Sequence, residues 1–72
     1  MLLKAEDSAT FHSSITQQNA EVWASYSVEG RVNGESVKQG DNRMFASEQE
    51  ARIWLVGEAE RRGFGSVEPE VH

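Results

Sequence analysis

Apolar and polar residues alternate along two stretches in the first half of the chain, and this period of two predicts β-strands. In residues 9–16, Phe11 and Ile15 fall on one face and hydroxyl side chains on the other. The alternation is stronger in residues 21–32, where Trp23 points away from a face formed by Val22, Ala24, Tyr26 and Val28. We therefore expect two half-buried strands, of which the second is the better defined.

A tight turn follows the second strand. Asn33 and Gly34 tolerate the positive φ angles that both central positions of a type I′ hairpin turn require. With these two residues as the loop, Val32 should face Glu35, and a third strand should follow. The polar and glycine residues 40–42 predict an interruption of that strand, as a bulge or a wider bend.

Residues 47–62 carry the signals of a helix at both ends. Ser47 and Glu50 have the spacing of a capping box, and Gly63 stands where a left-handed residue closes a helix. Glu48 and Glu50 lie where the helix dipole favours negative charge, and the arginines at 61 and 62 lie where it favours positive charge. The sequence therefore predicts one helix with defined ends.

The helix has only a narrow apolar stripe to place on a sheet. A step of about 100° per residue puts small and aliphatic residues on that stripe: Ala51, Leu55, Val56 and Ala59. Ile53, Trp54 and Gly57 fall on the opposite or lateral side. A single sheet then leaves some of the large apolar groups of the helix without cover.

Together these elements predict an α+β fold. A three-stranded antiparallel sheet packs one face on a single helix, and residues 66–68 could add a short fourth strand at an edge. Pro69 limits ladder pairing beyond that point. We expect one small domain over residues 1–72, with frayed segments at 1–8 and 69–72.

Length and charge narrow the function. The chain has 72 residues, no cysteine and a formal net charge of −5, so it has a small core, no disulfides and a surface that repels a phosphate backbone. Nucleic-acid binding is disfavoured on this ground. A membrane helix needs about 20 consecutive apolar residues, and no stretch of this chain comes near that length. We expect a cytoplasmic protein without a membrane partner.

The residues of common catalytic and metal sites are missing from the sequence. His12 and His72 are the only histidines, and neither has a second ligand at the spacing of a zinc site. No glycine-rich phosphate loop opens a helix, and a serine nucleophile would have to depend on His12. We therefore expect no catalytic residues, no metal, no cofactor and no small-molecule substrate.

The large apolar residues are the candidate binding site. Trp54 beside Ile53 and Gly57 has the composition of an interface hot spot, and Glu58 adds an acidic group to this side of the helix. Trp23 on an open sheet face would also invite a partner. The alternative for Trp54 is that it completes a core that would otherwise be too small.

Two families share parts of this outline. The stretch Val32-Asn33-Gly34-Glu35-Ser36-Val37, followed by Phe45-Ala46-Ser47 and Trp54, resembles a small phage or mobile-element protein of the type I-F anti-CRISPR kind. That resemblance implies an inhibitor that binds the CRISPR surveillance complex. The outline is also similar to the arm-binding domain of tyrosine integrases, whose sheet reads DNA, although the strands here lack the basic residues for it.

Three hypotheses follow from the sequence. The leading one is a non-enzymatic protein-binding module, an inhibitor or regulator that uses the Trp54 side and an acidic surface. The second is a homodimer that buries a sheet or helix face against its own copy, which suits a short chain without disulfides. The third is a nucleic-acid-binding domain.

Overall fold

A computed structural model describes residues 1–65 and 67–72 of the chain. A short 3₁₀ helix, Ala5–Asp7, is followed by strands β1 (Thr10–Gln18), β2 (Glu21–Val32) and β3 (Glu35–Phe45), by helix α1 (Glu48–Arg61), and by strand β4 (Glu70–Val71). The sheet order is β3-β2-β1-β4, and α1 packs on one face of this sheet. The predicted α+β class is confirmed.

The hairpin between β2 and β3 is the predicted one. Val32 lies opposite Glu35, and the loop residues Asn33 and Gly34 have φ angles of 53° and 83°. Positive φ at both positions is the signature of a type I′ turn, whose twist matches that of the flanking strands. This turn sets the register of every residue pair from the loop to Val22 and Phe45.

The predicted interruption of the third strand is wrong, because β3 pairs with β2 without a bulge from Glu35 to Phe45. Gly40 lies so close to β2 that a Cβ at this position would overlap the carbonyl oxygen of Tyr26. Next to it, the backbone N–H of Asn42 donates to Asp41 Oδ1 at 2.8 Å. Close strand approach explains the glycine, and the carboxylate satisfies a donor that has no partner strand.

The fourth strand lies later than predicted and runs parallel to β1, so the sheet is mixed. Of the expected segment 66–68, Ser66 lies outside the described residues, and Val67 and Glu68 belong to no strand. Instead, the His72 N–H donates to the Ile15 carbonyl at 2.8 Å. Pro69 lacks an N–H of its own, but the residues after it can pair, and the chain end is therefore part of the sheet.

Helix α1 begins and ends as its caps predict. The Ser47 Oγ accepts from the Glu50 N–H at 3.2 Å, but the Glu50 carboxylate makes no bond to the Ser47 N–H, so only half of the predicted capping box forms. At the other end Gly63 has a φ of 82°, and the Phe64 N–H donates to the Ala59 carbonyl at 2.9 Å while the Gly63 N–H donates to the Glu60 carbonyl at 3.0 Å. These two bonds form a Schellman motif, which ends the helix.

The start of the chain differs from the frayed segment that we expected. Leu3 is completely buried, and its side chain reaches β2 at Gly30. The Leu3 N–H donates to Gln39 Oε1 at 2.9 Å, and the Ala5 N–H donates to the carbonyl of Arg62 at 2.8 Å. The first residues therefore lie across the sheet and join β3 to the end of α1.

The buried face of α1 is centred differently from its apolar stripe. Ala51, Leu55 and Ala59 are fully buried as predicted, but Val56 is 39% exposed, so its place on the sheet-facing stripe is wrong. The centre of the buried face is shared with two polar residues, Glu58 and Arg62. A prediction from the apolar positions alone omits these two polar residues. The predicted buried face is therefore centred too far toward Val56.

Two glycine variants test this account of the fold. We expect Gly40→Ala to lower the free energy of unfolding by about 1 to 3 kcal/mol, because the new Cβ meets backbone that cannot move aside. Gly57→Ala is the matched control: nothing lies within 4 Å of its Cβ, and alanine should stabilise the helix by about 0.5 to 1 kcal/mol. Urea unfolding measures both, and equal effects of the two variants would contradict the account.

Candidate binding surfaces

Five of the six aromatic side chains form one row between the sheet and the helix. Neighbouring ring centroids are 5.4 to 5.6 Å apart, in the order Phe64, Phe11, Tyr26, Trp54 and Phe45. These distances are typical of stacked and tilted aromatic pairs. The row runs along the margin of an aliphatic core made of Ile15, Val22, Ala24, Ala51 and Leu55. It supplies bulk that the small residues of the helix do not.

Trp54, the first candidate for a hot spot, belongs to this row. Its half-buried ring lies 5.5 Å from Tyr26 and 5.6 Å from Phe45, and the Arg43 guanidinium sits 5.5 Å above it. The position favours the alternative in which Trp54 completes the core.

The other helix candidates lie at different depths. Ile53 is 65% exposed, and Gly57 is exposed with open space around it. Glu58 is mostly covered, because it accepts from the Tyr26 hydroxyl at 3.5 Å and pairs with Arg61 at 3.4 Å. Together with Val56, Ile53 and Gly57 form a small apolar patch on the outer side of the helix, which we call the helix patch.

Arg62 is a buried cation that the sequence did not single out as such. Its side chain is 4% exposed, and Nη1 donates to the Leu3 carbonyl at 3.0 Å and to Gln39 Oε1 at 2.8 Å. The guanidinium carbon lies 5.5 Å from the Tyr26 ring, while the buried Nε has no hydrogen-bond partner. No carboxylate of the described residues pairs with it, so neutral oxygens and a ring face offset its burial.

The side of the sheet opposite α1 is not covered by any described element. We call it the open face. Most of its side chains are small and polar, and one pair is linked by a hydrogen bond of 2.9 Å between Ser14 Oγ and Ser25 Oγ. The central residues of this face are His12, Ser14, Thr16, Trp23, Ser25, Ser27, Asn42 and Met44.

One apolar pair stands out on the open face. Trp23 is 37% exposed and lies directly opposite Met44, which is 48% exposed. The Trp23 Nε1–H donates to Glu21 Oε1 at 3.3 Å, so the polar edge of the ring is satisfied within the chain. The sequence predicted Trp23 as a contact residue but missed Met44, because only the strand register brings the two together.

Both histidines line one shallow depression on this face, with a volume of about 430 Å³. His72 Nε2 lies 3.5 Å from Glu70 Oε2, and His12 faces Ser27 across the strands. Within residues 1–65 and 67–72, no group of three or more His, Asp or Glu side chains is close enough to hold a metal ion. The depression is a polar continuation of the open face beside Trp23.

Most basic side chains are already engaged within the chain. Lys38 pairs with Glu29 at 3.6 Å, Arg52 with Glu48 at 3.0 Å and Arg61 with Glu58 at 3.4 Å. Arg62 is buried. The remaining ones are Lys4 before the 3₁₀ helix, Arg31 on β2 and Arg43 on β3, and they form no continuous basic stripe.

Comparisons with protein-family models, with curated proteins and with solved structures found no match to this chain. The resemblance to anti-CRISPR proteins therefore stays a prediction. Over the part of the chain that the structure describes, no helix has the length and apolar character needed to cross a membrane. Function has to be argued from the surfaces themselves.

The two tryptophans should respond differently to replacement. We expect Trp54→Ala to lower the free energy of unfolding by about 2 to 3 kcal/mol, since it removes ring contacts on three sides. Trp23→Ala, the matched control, should cost less than about 1 kcal/mol because its ring lies on the open face. Urea unfolding measures both costs. Equal costs, or a larger cost at Trp23, would contradict the assignment of Trp54 to the core.

Proposed function

We propose that this chain is a non-enzymatic protein-binding module that binds its partner on the open face of the sheet. The observation that carries the proposal is the exposed pair Trp23 and Met44, near one end of a face that no described element covers. Tryptophan and methionine are enriched in the buried centres of protein interfaces. The pair is the anchor of this binding surface.

The surroundings of the pair suit a protein partner. The side chains beside the pair on β1 and β2 include the short hydroxyls Thr16, Ser14 and Ser25, which leave the indole and thioether accessible to an incoming side chain. Ser14 and Ser25 already satisfy each other, which lowers the cost of removing them from water. A rigid sheet also presents the pair without having to order a loop on binding.

The charges of the chain indicate which charge its partner should carry. Glu21, Glu29 and Glu70 lie on the open face together with Arg31 and Lys38, and Glu29 is paired with Lys38 and Glu70 with His72. With a net charge of −5, the chain favours a partner whose apolar pocket has a basic rim. The engaged and scattered basic side chains favour a protein partner over nucleic acid.

An inhibitor from a phage or mobile element is the finer form of this proposal. Its support is the resemblance carried by the hairpin and by the segment from Phe45 to Trp54, together with an acidic surface that suits a basic groove. In this form the partner is a nucleic-acid-binding protein whose groove the acidic chain occupies with its open face, and the site of action is the cytoplasm.

Paired variants on opposite sides of the molecule test the proposal. A protein captured from lysate by the wild-type chain is purified and titrated against Trp23→Ser/Met44→Ser. We expect the dissociation constant to rise by about tenfold or more, because the variant removes both apolar anchors of the surface. Isothermal titration calorimetry measures the constant, and circular dichroism verifies that the variant is folded.

The control is Ile53→Ser/Val56→Ser, which removes the helix patch and should leave the affinity unchanged. Loss of binding only in this control would move the site to the Trp54 side of the helix. Titration of duplex DNA at low salt is the second control. Binding that weakens steeply as salt rises would contradict the protein-binding proposal in favour of nucleic acid.

A further inference from the structure

The outer edge of β3 is open along its length. In a two-residue hairpin, the residues beside the loop form a hydrogen-bonded pair, and such pairs recur at every second residue. The odd-numbered residues of β3 therefore bond to β2, and the even-numbered ones direct their N–H and C=O groups outward. The same rule applied to β1 leaves Ile15 and Gln17 facing outward, and these are the residues that bond to His72.

Little protects this edge from pairing. The eleven residues of β3 include charged side chains but no bulge and no proline, which are two of the devices that blunt an edge strand. Among the outward-facing groups, the Asn42 N–H is satisfied by Asp41, whereas no described residue bonds to the outward groups of Ser36, Lys38 and Gly40. Such an edge is a template for another strand.

We propose that β3 pairs in antiparallel fashion with β3 of a second copy of this chain, across a two-fold axis at Gln39. This register places Glu35 opposite Arg43 of the second copy, and by symmetry Arg43 opposite Glu35 of that copy. Neither side chain has an ion-pair partner within its own chain among the described residues. Opposite charges in directly facing positions stabilise a strand pair.

The other registers that align the outward-facing groups are less favourable. An axis at Lys38 places two lysines opposite each other and Glu35 opposite Asp41. An axis at Asp41 places two aspartates opposite each other, and like charges in facing positions are destabilising. An axis at Gly40 places every charged residue opposite a neutral one. An axis at Asn42 places Asp41 opposite Arg43, but it pairs only residues 39–45, leaves Glu35 without a partner and passes through a residue whose N–H is already bonded to Asp41. The axis at Gln39 gives facing pairs of opposite charge over nine residues.

The N-terminus adds an apolar contact at this axis. The Met1 carbonyl accepts from Gln39 Nε2 at 2.6 Å, so Met1 lies beside the residue through which the axis passes. Its side chain is 76% exposed and would meet Met1 of the second copy. With the Asn42 N–H of each copy bonded to its own Asp41, the pairing would form about six backbone hydrogen bonds and join the two sheets into one. The contact area is small, which predicts a dissociation constant in the micromolar range.

Charge reversal tests the register. We expect Glu35→Arg and Arg43→Glu each to raise the dissociation constant of the dimer about tenfold or more, because each converts two attractive pairs into repulsive ones. An equimolar mixture of the two variants should form a heterodimer with both pairs restored. Sedimentation velocity over the micromolar range measures the constants, and native mass spectrometry identifies the heterodimer.

Glu60→Arg and Arg31→Glu are the controls, because they change the charge equally outside the paired segment and should leave the dimer intact. Circular dichroism verifies that each variant is folded. A wild-type chain that stays monomeric overturns the proposal, as does a dimer that neither reversal weakens or that mixing does not restore. The test uses no partner protein, so its failure is distinguishable from failure of the proposed function.

Discussion

Helix α1 has only a narrow apolar stripe, and the fold depends on how the helix and the sheet nevertheless bury enough apolar surface between them to be stable. Ala51, Leu55 and Ala59 bring α1 close to the strands but contribute little volume. The missing bulk comes from the aromatic row at the margin of the core, and Tyr26 is its central member because it contacts Phe11, Trp54 and Arg62. Aromatic side chains bury the largest areas per residue, which makes them suited to a chain this short.

Arg62 extends this arrangement to the ends of the chain. Its guanidinium lies on the Tyr26 ring and binds the Leu3 carbonyl and Gln39, so it fastens the N-terminal segment to β3 and to the end of α1. A buried cation without a carboxylate partner is costly unless hydrogen bonds and an aromatic ring face offset the loss of its hydration. The order of residues 1–8 therefore depends on a contact between residues far apart in sequence.

The proposed function and the proposed dimer use different parts of the same sheet. The covered face is filled by the helix and the aromatic row, which leaves the open face with Trp23 and Met44 and the outer edge of β3. Met44 lies outside the nine residues, 35–43, that the dimer would pair. A dimer would thus present two binding pairs on one continuous sheet, and a partner with repeated sites would gain avidity from it.

Local signals were sufficient for the elements whose structure is decided by neighbours in sequence. The Asn33-Gly34 turn needs only residues that tolerate positive φ, and the ends of α1 need only Ser47 and Gly63, so all of these were predictable. The burial of Leu3 and Arg62, the continuity of β3 at Gly40 and the pairing of β4 with β1 were not. Each of them depends on a partner at least ten residues away, whose distance and direction only the folded chain establishes.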